Sequence, residues 1–170
     1  MSRDVPLRIG GAEVATGRWF EVRSPFSGEL LARVAKAGPE EIERALAAAA
    51  SGFEESRRMP GYRRADCLRA IRQTLEMRRA EVVQTIVAEA GKPARFAEAE
   101  FDRGLTTLRL SSEEATRIGG EILPVDIEAR GEGALCAVSR FPIGPVTAIT
   151  PFNFPFNLVL HKVAPAIAAG

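Results

Sequence analysis

The fold is decided by the last 31 residues of the chain, RFPIGPVTAITPFNFPFNLVLHKVAPAIAAG at positions 140–170. Within them, residues 145–150 form a nearly all-apolar run with several β-branched side chains, which is typical of a strand covered on both faces. Residues 156–169 have the composition of a buried helix, and Gly170 lies where helices commonly end on glycine. We therefore predict a buried parallel strand followed by a helix, the beginning of a strand-helix-strand unit in an α/β fold.

The second strand of that unit is absent from the sequence, and two explanations are open. Either residues 1–122 supply the surface that the helix packs against, or the chain is the first part of a longer protein. We favour the second explanation, because neither an internal repeat nor a linker marks 143–170 as a self-sufficient tail. We expect a chain cut short of its natural end.

The composition of the whole chain is that of an ordinary globular protein. The 170 residues include 23 Lys and Arg against 22 Asp and Glu, and 46% of them are hydrophobic. This excludes a disordered chain, and the net charge of +1 argues against a nucleic-acid-binding protein. The charge is unevenly distributed, because residues 134–170 contain neither Asp nor Glu. The end of the chain is therefore expected to lie inside a protein.

Cysteine content and the chain start favour a cytoplasmic protein without a metal site. Cys67 and Cys136 are far apart and only one His accompanies them, which is a poor ligand set for zinc. The first residues lack the apolar core of a signal peptide. The charge-free run 141–160 contains four prolines, so we predict that it is buried within protein and does not span a membrane.

Local patterns predict the elements of the remaining chain. Apolar periodicity, glycines and prolines indicate a hairpin at 7–14, strands at 19–22 and 30–34, a helix at 39–51, two helices or one bent helix at 60–90, a helix at 94–118, and a ribbon of 121–129 with 134–141. Residues 1–122 are thus expected to be strands followed by helices.

Asn153 is the candidate functional side chain, in the turn after the predicted strand. The turn has no glycine to approach a pyrophosphate, but it lies at the carboxyl end of a parallel strand, where ligands bind in α/β sheets. Its amide can stabilise an oxygen that becomes negative in a transition state. The alternative role is an N-cap of the helix. Other candidates are interpreted as structural: Cys67 as a small buried hydrophobe, Cys136, His161, and the Glu98 and Asp102 pair.

Residues 140–170 closely resemble the NAD(P)-dependent aldehyde dehydrogenase superfamily, through Pro-Phe-Asn-Phe-Pro at 151–155 and the apolar helix after it. The segments SPFSGE at 24–29, EAGKP at 89–93 and GEILP at 120–124 extend the resemblance over essentially the whole chain. The resemblance implies an α/β fold: the amino-terminal part of a Rossmann-type cofactor-binding domain with a protruding oligomerisation hairpin.

The same resemblance implies how the chain is divided. Residues 1–123 are the amino-terminal part of the cofactor-binding domain, 124–142 the oligomerisation hairpin of a homodimer or homotetramer, and 143–170 the first strand and helix of the Rossmann-type sheet. The catalytic domain is absent from this chain. Asn153 is implied to be the oxyanion-hole donor, and NAD or NADP is implied to contact Ile149, Thr150, Pro151, Phe152 and Asn153 near the nicotinamide.

The implied activity is oxidation of a small-molecule aldehyde to a carboxylic acid, through a cysteine thiohemiacetal and a thioester. The nucleophilic cysteine and general-base glutamate of the family lie beyond position 170, and neither Cys67 nor Cys136 fits the nucleophile's motif. We therefore expect the 170-residue chain alone to be inactive. The alternative is a non-catalytic oligomerisation or binding module of the same ancestry that acts through the 124–142 hairpin.

Overall fold

The computed structural model describes residues 3–170, a mixed α/β chain of short sheets and long helices. Its strands are β1 (Arg3–Val5), β2 (Leu7–Ile9), β3 (Ala12–Val14), β4 (Trp19–Arg23), β5 (Leu30–Ala35), β6 (Glu121–Leu123) and β7 (Cys136–Val138). Its α-helices are α1 (Pro39–Ser56), α2 (Gly61–Met77), α3 (Arg79–Ala90), α4 (Ala94–Glu114) and α5 (Asn157–Ala169), and a single 3₁₀ turn spans Ala129–Gly131.

The strands pair in three small sheets within the described residues. In the largest, β5 lies between β1, which is parallel to it, and β4, which is antiparallel. The predicted hairpin is confirmed as β2 and β3, with Leu7 opposite Val14. Gly10 and Gly11 connect these strands with φ of 58° and 84°, the positive values that a tight two-residue hairpin turn requires.

The predicted helices are confirmed, and their ends follow from local chemistry. Helix α1 begins at Pro39, and the Glu41 carboxylate accepts a hydrogen bond from the Gly38 N–H at 2.7 Å. This bond holds the pKa of Glu41 below its ordinary value. The pattern over 60–90 resolves into α2 and α3, and α3 ends at Gly91, whose φ of 61° suits a glycine.

The hydrophobic core lies between α2, α4 and α5. Phe101 of α4 is fully buried, and its ring stacks on that of Phe156 with centroids 5.3 Å apart. Gly104, one turn further along α4, lets α5 approach closely, since Phe156 and Leu160 fill the space that its missing Cβ leaves. This packing fixes the start of α5 relative to α4.

The predicted strand at 145–150 is wrong for the described chain. These residues form no strand, and Ile149 is 79% exposed. A β-strand needs a neighbour to receive its backbone hydrogen bonds, and within residues 3–170 none pairs with this segment. The predicted burial of 141–160 is also wrong in its first half, where Phe141 and Ile143 are exposed. Among the described residues, no helix combines the length and apolar character needed to cross a membrane.

Two smaller predictions also need correction. The ribbon of 121–129 with 134–141 is confirmed only over β6 and β7, because residues between them turn through Ala129–Gly131. Cys67 is exposed, contrary to its interpretation as a buried hydrophobe. The buried positions of α2 are Ala65 and Leu68, and Cys67 falls outside that stripe of the helix.

Candidate functional site

The turn of residues 151–156 leads into α5 and carries Asn153. Pro151 and Pro155 fix their own φ and favour extended backbone in the residue before each of them. Helix α5 begins at Asn157, shortly after Pro155, where proline is tolerated because the first helical N–H groups have no partner within the helix. The turn is thus a sharply bent entry to a helix.

Glu100 of α4 accepts hydrogen bonds from the start of α5. Its Oε1 lies 2.9 Å from the Phe156 nitrogen and 3.1 Å from the Asn157 nitrogen. Phe156, the N-cap residue, has no polar side chain for this purpose. Glu100 is only 1% exposed, and its negative charge faces the positive end of the helix dipole. A glutamate from another helix therefore caps α5.

Lys92 connects this carboxylate to the turn. Its Nζ forms an ion pair with Oε2 of Glu100 and donates a second hydrogen bond, of 2.9 Å, to the main-chain carbonyl of Asn153. The same ammonium lies 4.1 Å from the centroid of the Phe154 ring, which is within cation–π range. Lys92 stands in the short connection between α3 and α4, so both helices determine its position.

Asn153 itself presents its side chain to solvent. The residue is exposed, and the hydrogen bond to Lys92 is made by its main-chain carbonyl, which leaves the side-chain amide available. The proposed N-cap role of Asn153 is wrong, because α5 begins at Asn157 and its capping acceptor is Glu100. The amide therefore has no structural task at the helix start.

A groove of about 690 Å³ lies beside Asn153. Phe152 and Asn153 of the turn line it, together with Val82 and Ile86 of α3. At its rim, Glu81 accepts two hydrogen bonds from Arg78, which lower the pKa of Glu81. Of the five residues that the resemblance implies for the cofactor, Phe152 and Asn153 line this groove, whereas Ile149, Thr150 and Pro151 are exposed and do not line it.

The remaining candidate side chains do not line this groove; they are Cys67, Cys136, Glu98, Asp102 and His161. Cys67 lines a second groove, of about 740 Å³, whose other lining residues come from the end of α1, from residues 142–146 and from the end of α5. Asp102 forms an ion pair with Arg79, which lowers the pKa of Asp102, so the Glu98 and Asp102 pair is not a free carboxylate dyad. Within residues 3–170, no cluster of three or more His, Cys, Asp or Glu could hold a metal ion.

Lys92 and Glu100, which bind the main chain of the turn, are not predicted from the sequence. Lys92 stands out in the sequence only through the resemblance of the segment EAGKP, and Glu100 is one of several acidic residues of α4 that include Glu98 and Asp102. A signal was present, because Glu100 falls on the same helix face as Ala97 and Phe101, both fully buried. A charge on the buried face of a helix implies a partner that neutralises it.

Helix α4 and the α3–α4 connection hold the Pro-Phe-Asn-Phe-Pro turn at the start of α5, and comparison with known proteins identifies the family. The model of the aldehyde dehydrogenase family matches residues 12–170. The chain belongs to the aldehyde dehydrogenase family, as the sequence resemblance predicted.

Individual relatives agree with this assignment. The aldehyde-dehydrogenase-like protein y4uC of Sinorhizobium fredii is 45% identical over 149 residues, which are 88% of this chain and 29% of that protein. The crystal structure of aldehyde dehydrogenase 21 from Physcomitrella patens, in complex with the reaction product succinate, matches all of this chain and 36% of its own, with a TM-score of 0.96 and 36% identity.

A second solved structure contains a cofactor. It is the NADP-dependent glyceraldehyde-3-phosphate dehydrogenase of Bacillus halodurans complexed with NADP, which has a TM-score of 0.93 and 32% identity over 98% of this chain and 36% of that one. The chain thus spans about a third of the length of the relatives it matches. The predicted fold class, the amino-terminal part of an aldehyde dehydrogenase, is confirmed.

Proposed function

We propose that residues 1–170 supply the amino-terminal part of an NAD(P)-dependent aldehyde dehydrogenase that oxidises a small-molecule aldehyde to a carboxylic acid. Residues 1–123 and 143–170 belong to its cofactor-binding domain and 124–142 to an oligomerisation hairpin. The observation that carries this proposal is the Asn153 turn, whose main chain is fixed by Lys92 while its side-chain amide stays exposed. A cytoplasmic location remains a prediction.

The segment 149–153 has the chemistry to hold the nicotinamide end of NAD or NADP. Ile149 and Phe152 are 79% and 90% exposed, so they offer apolar surface to a flat ring. The turn has no glycine for a pyrophosphate to approach, so the phosphates are assigned to another part of the enzyme. When bound, NAD(P)⁺ supplies the hydride acceptor of the oxidation.

Asn153 is assigned the role of oxyanion donor. When the nucleophilic cysteine of the proposed catalytic portion attacks the aldehyde, the carbonyl oxygen gains negative charge. A preorganised amide N–H aimed at that oxygen stabilises the transition state more than the ground state, which raises kcat. Asn153 suits this task because the turn that carries it is held in place before substrate arrives.

The role of Asn153 is tested in the full-length enzyme, meaning the polypeptide in which residues 1–170 precede the catalytic portion. Asn153→Ala is expected to lower kcat by roughly 10²–10³, the loss seen when one oxyanion donor is removed, with little change in KM for the cofactor. His161→Ala, which alters an exposed side chain on α5, is the control and should keep the wild-type kcat. An unchanged kcat in Asn153→Ala would contradict the proposal.

The 170-residue chain alone is expected to be inactive, since its two cysteines, Cys67 and Cys136, do not line the groove beside Asn153. The purified chain should give no increase in NADH or NADPH absorbance above a buffer blank with a panel of aldehydes. Sustained turnover would refute this expectation.

Exposed apolar side chains favour a second candidate function, a non-catalytic oligomerisation module. Ile122, Ile127 and Leu135 are exposed in or near the β6–β7 ribbon. Exposed apolar patches commonly mark protein interfaces. Sedimentation analysis of the purified chain and of Ile127→Lys tests this role. If the chain is an oligomerisation module, it should form an oligomer that the substitution Ile127→Lys dissociates. A monomeric parent chain would exclude this function.

A further inference from the structure

The ion pair of Lys92 and Glu100 lies buried beneath the Asn153 turn. The Glu100 side chain is inaccessible to solvent, and that of Lys92 is 15% exposed. Burial of two opposite charges brings little net stability unless further hydrogen bonds satisfy them. Here both charges have such bonds, and all of these bonds go to the segment 153–157. The pair is thus directed at the turn rather than at the helix core.

The two residues contact the segment on both sides of Phe154. Lys92 binds the carbonyl of Asn153, which lies before it, and contacts the Phe154 ring itself. Glu100 binds the N–H groups of Phe156 and Asn157, which lie after it. Because Lys92 and Glu100 are also bonded to one another, they form a single clamp from Asn153 to the first residue of α5.

We propose that Lys92 and Glu100 are positioning residues for catalysis, which act by fixing the main chain of Asn153 so that its amide meets the developing oxyanion. This inference rests on the proposed oxyanion role of Asn153 and assigns two residues that support it. Neither residue is proposed to touch substrate. Asn153 is exposed, so few packing contacts restrain it. Its main-chain position therefore depends on the clamp.

The clamp is tested by removing its charges one at a time in the full-length enzyme. Lys92→Met removes the ammonium but keeps an apolar stem, and Glu100→Gln keeps one acceptor oxygen for the helix N–H groups. Arg79→Met is the control, because the Arg79–Asp102 ion pair also binds a carboxylate of α4 but does not contact the turn. The double variant Lys92→Met/Glu100→Gln leaves no unpaired buried charge, and it replaces the single variant if that one does not fold.

Lys92→Met is expected to lower kcat by about 10- to 100-fold, the loss that displacement of a catalytic group by on the order of 1 Å can cause. KM for NAD(P) should change by less than about threefold, since the cofactor contacts remain. Arg79→Met should keep kcat near the wild-type value. A kcat for Lys92→Met equal to that of Arg79→Met would overturn the inference.

The same substitution in an Asn153→Ala background separates positioning from a general structural effect. If Lys92 acts through Asn153, Lys92→Met should cause no further loss of kcat when the amide is already absent. An equal loss in both backgrounds would overturn the inference. If Asn153→Ala alone leaves kcat unchanged, the proposed function fails, whereas a normal Lys92→Met beside an impaired Asn153→Ala refutes only the clamp.

Hydrogen exchange gives a readout that does not depend on activity. The amides of Phe156 and Asn157 donate to Glu100, so Glu100→Ala should accelerate their exchange by about tenfold or more, as expected when a buried hydrogen bond is lost. Arg79→Met should leave these two amides protected. Unchanged protection in Glu100→Ala would show that Glu100 does not hold the turn.

Discussion

Gly104 provides a direct test of how α5 is seated on α4. A Cβ added at this position would lie 2.5 Å from Cε1 of Phe156 and 2.9 Å from Cδ1 of Leu160. Both distances are well below van der Waals contact, and the Phe156 ring cannot swing away freely because it stacks on Phe101. Gly104→Ala must therefore push α5 away from α4 or force Phe156 from its rotamer.

The size of the effect follows from two opposing terms. Overpacking a core by one methyl group typically costs about 1–3 kcal/mol. Replacement of glycine by alanine inside a helix contributes about 1 kcal/mol in the opposite direction. Gly104→Ala should therefore lower the free energy of unfolding by about 1 kcal/mol. Gly52→Ala in α1 is the matched control, because a Cβ there meets no atom within 4 Å, and it should raise the free energy of unfolding by about 0.5–1 kcal/mol.

Urea titration of the two variants and the parent chain, followed by circular dichroism, measures both effects. The difference between the variants isolates the steric term, since the helix-propensity term is common to both. It should amount to about 1–3 kcal/mol at equal m-values. If Gly104→Ala is as stable as Gly52→Ala, the close packing of α5 on α4 described above is refuted.

Three further predictions concern stability. Phe101→Ala removes a fully buried ring and should cost about 3–5 kcal/mol in urea titration, and a loss below about 1 kcal/mol would contradict its place in the core. Gly61→Ala would place a Cβ 2.5 Å from the backbone oxygen of Ala115, so we expect a Tm below that of the parent, and an unchanged Tm would contradict this contact. Arg79 lowers the pKa of Asp102. This ion pair therefore stabilises the fold at pH values above the ordinary Asp pKa of 3.8, and the stabilisation is lost as the pH falls through the lower pKa of the folded state. Arg79→Met should raise the Asp102 pKa in an NMR titration and weaken this acid dependence, and an unshifted Asp102 would refute the pairing.

Local signals in the sequence predicted the strands and helices of residues 7–114. The pair Gly10 and Gly11 predicted a hairpin because positive φ at both positions suits glycine. Pro39 and Gly91 marked helix ends through their own backbone preferences. Each of these signals depends on a few neighbouring residues, so each could be interpreted without knowledge of the tertiary structure.

The prediction of a strand at 145–150 was wrong for a different reason. Its apolar, β-branched composition indicates an environment covered on both faces, but composition does not supply the neighbouring strands that make a sheet. In the described chain, Val146 and Ile149 are exposed. The apolar pattern therefore indicates that this segment is suited to burial. It does not show whether a neighbouring strand is present to form the backbone hydrogen bonds of a sheet.

The Asn153 site was predicted only in part, because the residues that bind the turn, Lys92 and Glu100, are distant from it in the sequence. Residues 134–170 contain no acidic residue, so nothing near α5 in sequence could cap its N-terminus with a carboxylate. The structure supplies that carboxylate from Glu100, 56 positions before Phe156. Two residues so far apart form no recognisable spacing pattern in the sequence. The available signal was the position of a charged residue, Glu100, on the buried face of α4. The end of the chain has no acid of its own, and the carboxylate that caps α5 comes from the preceding helical layer, as does the lysine that binds the Asn153 carbonyl.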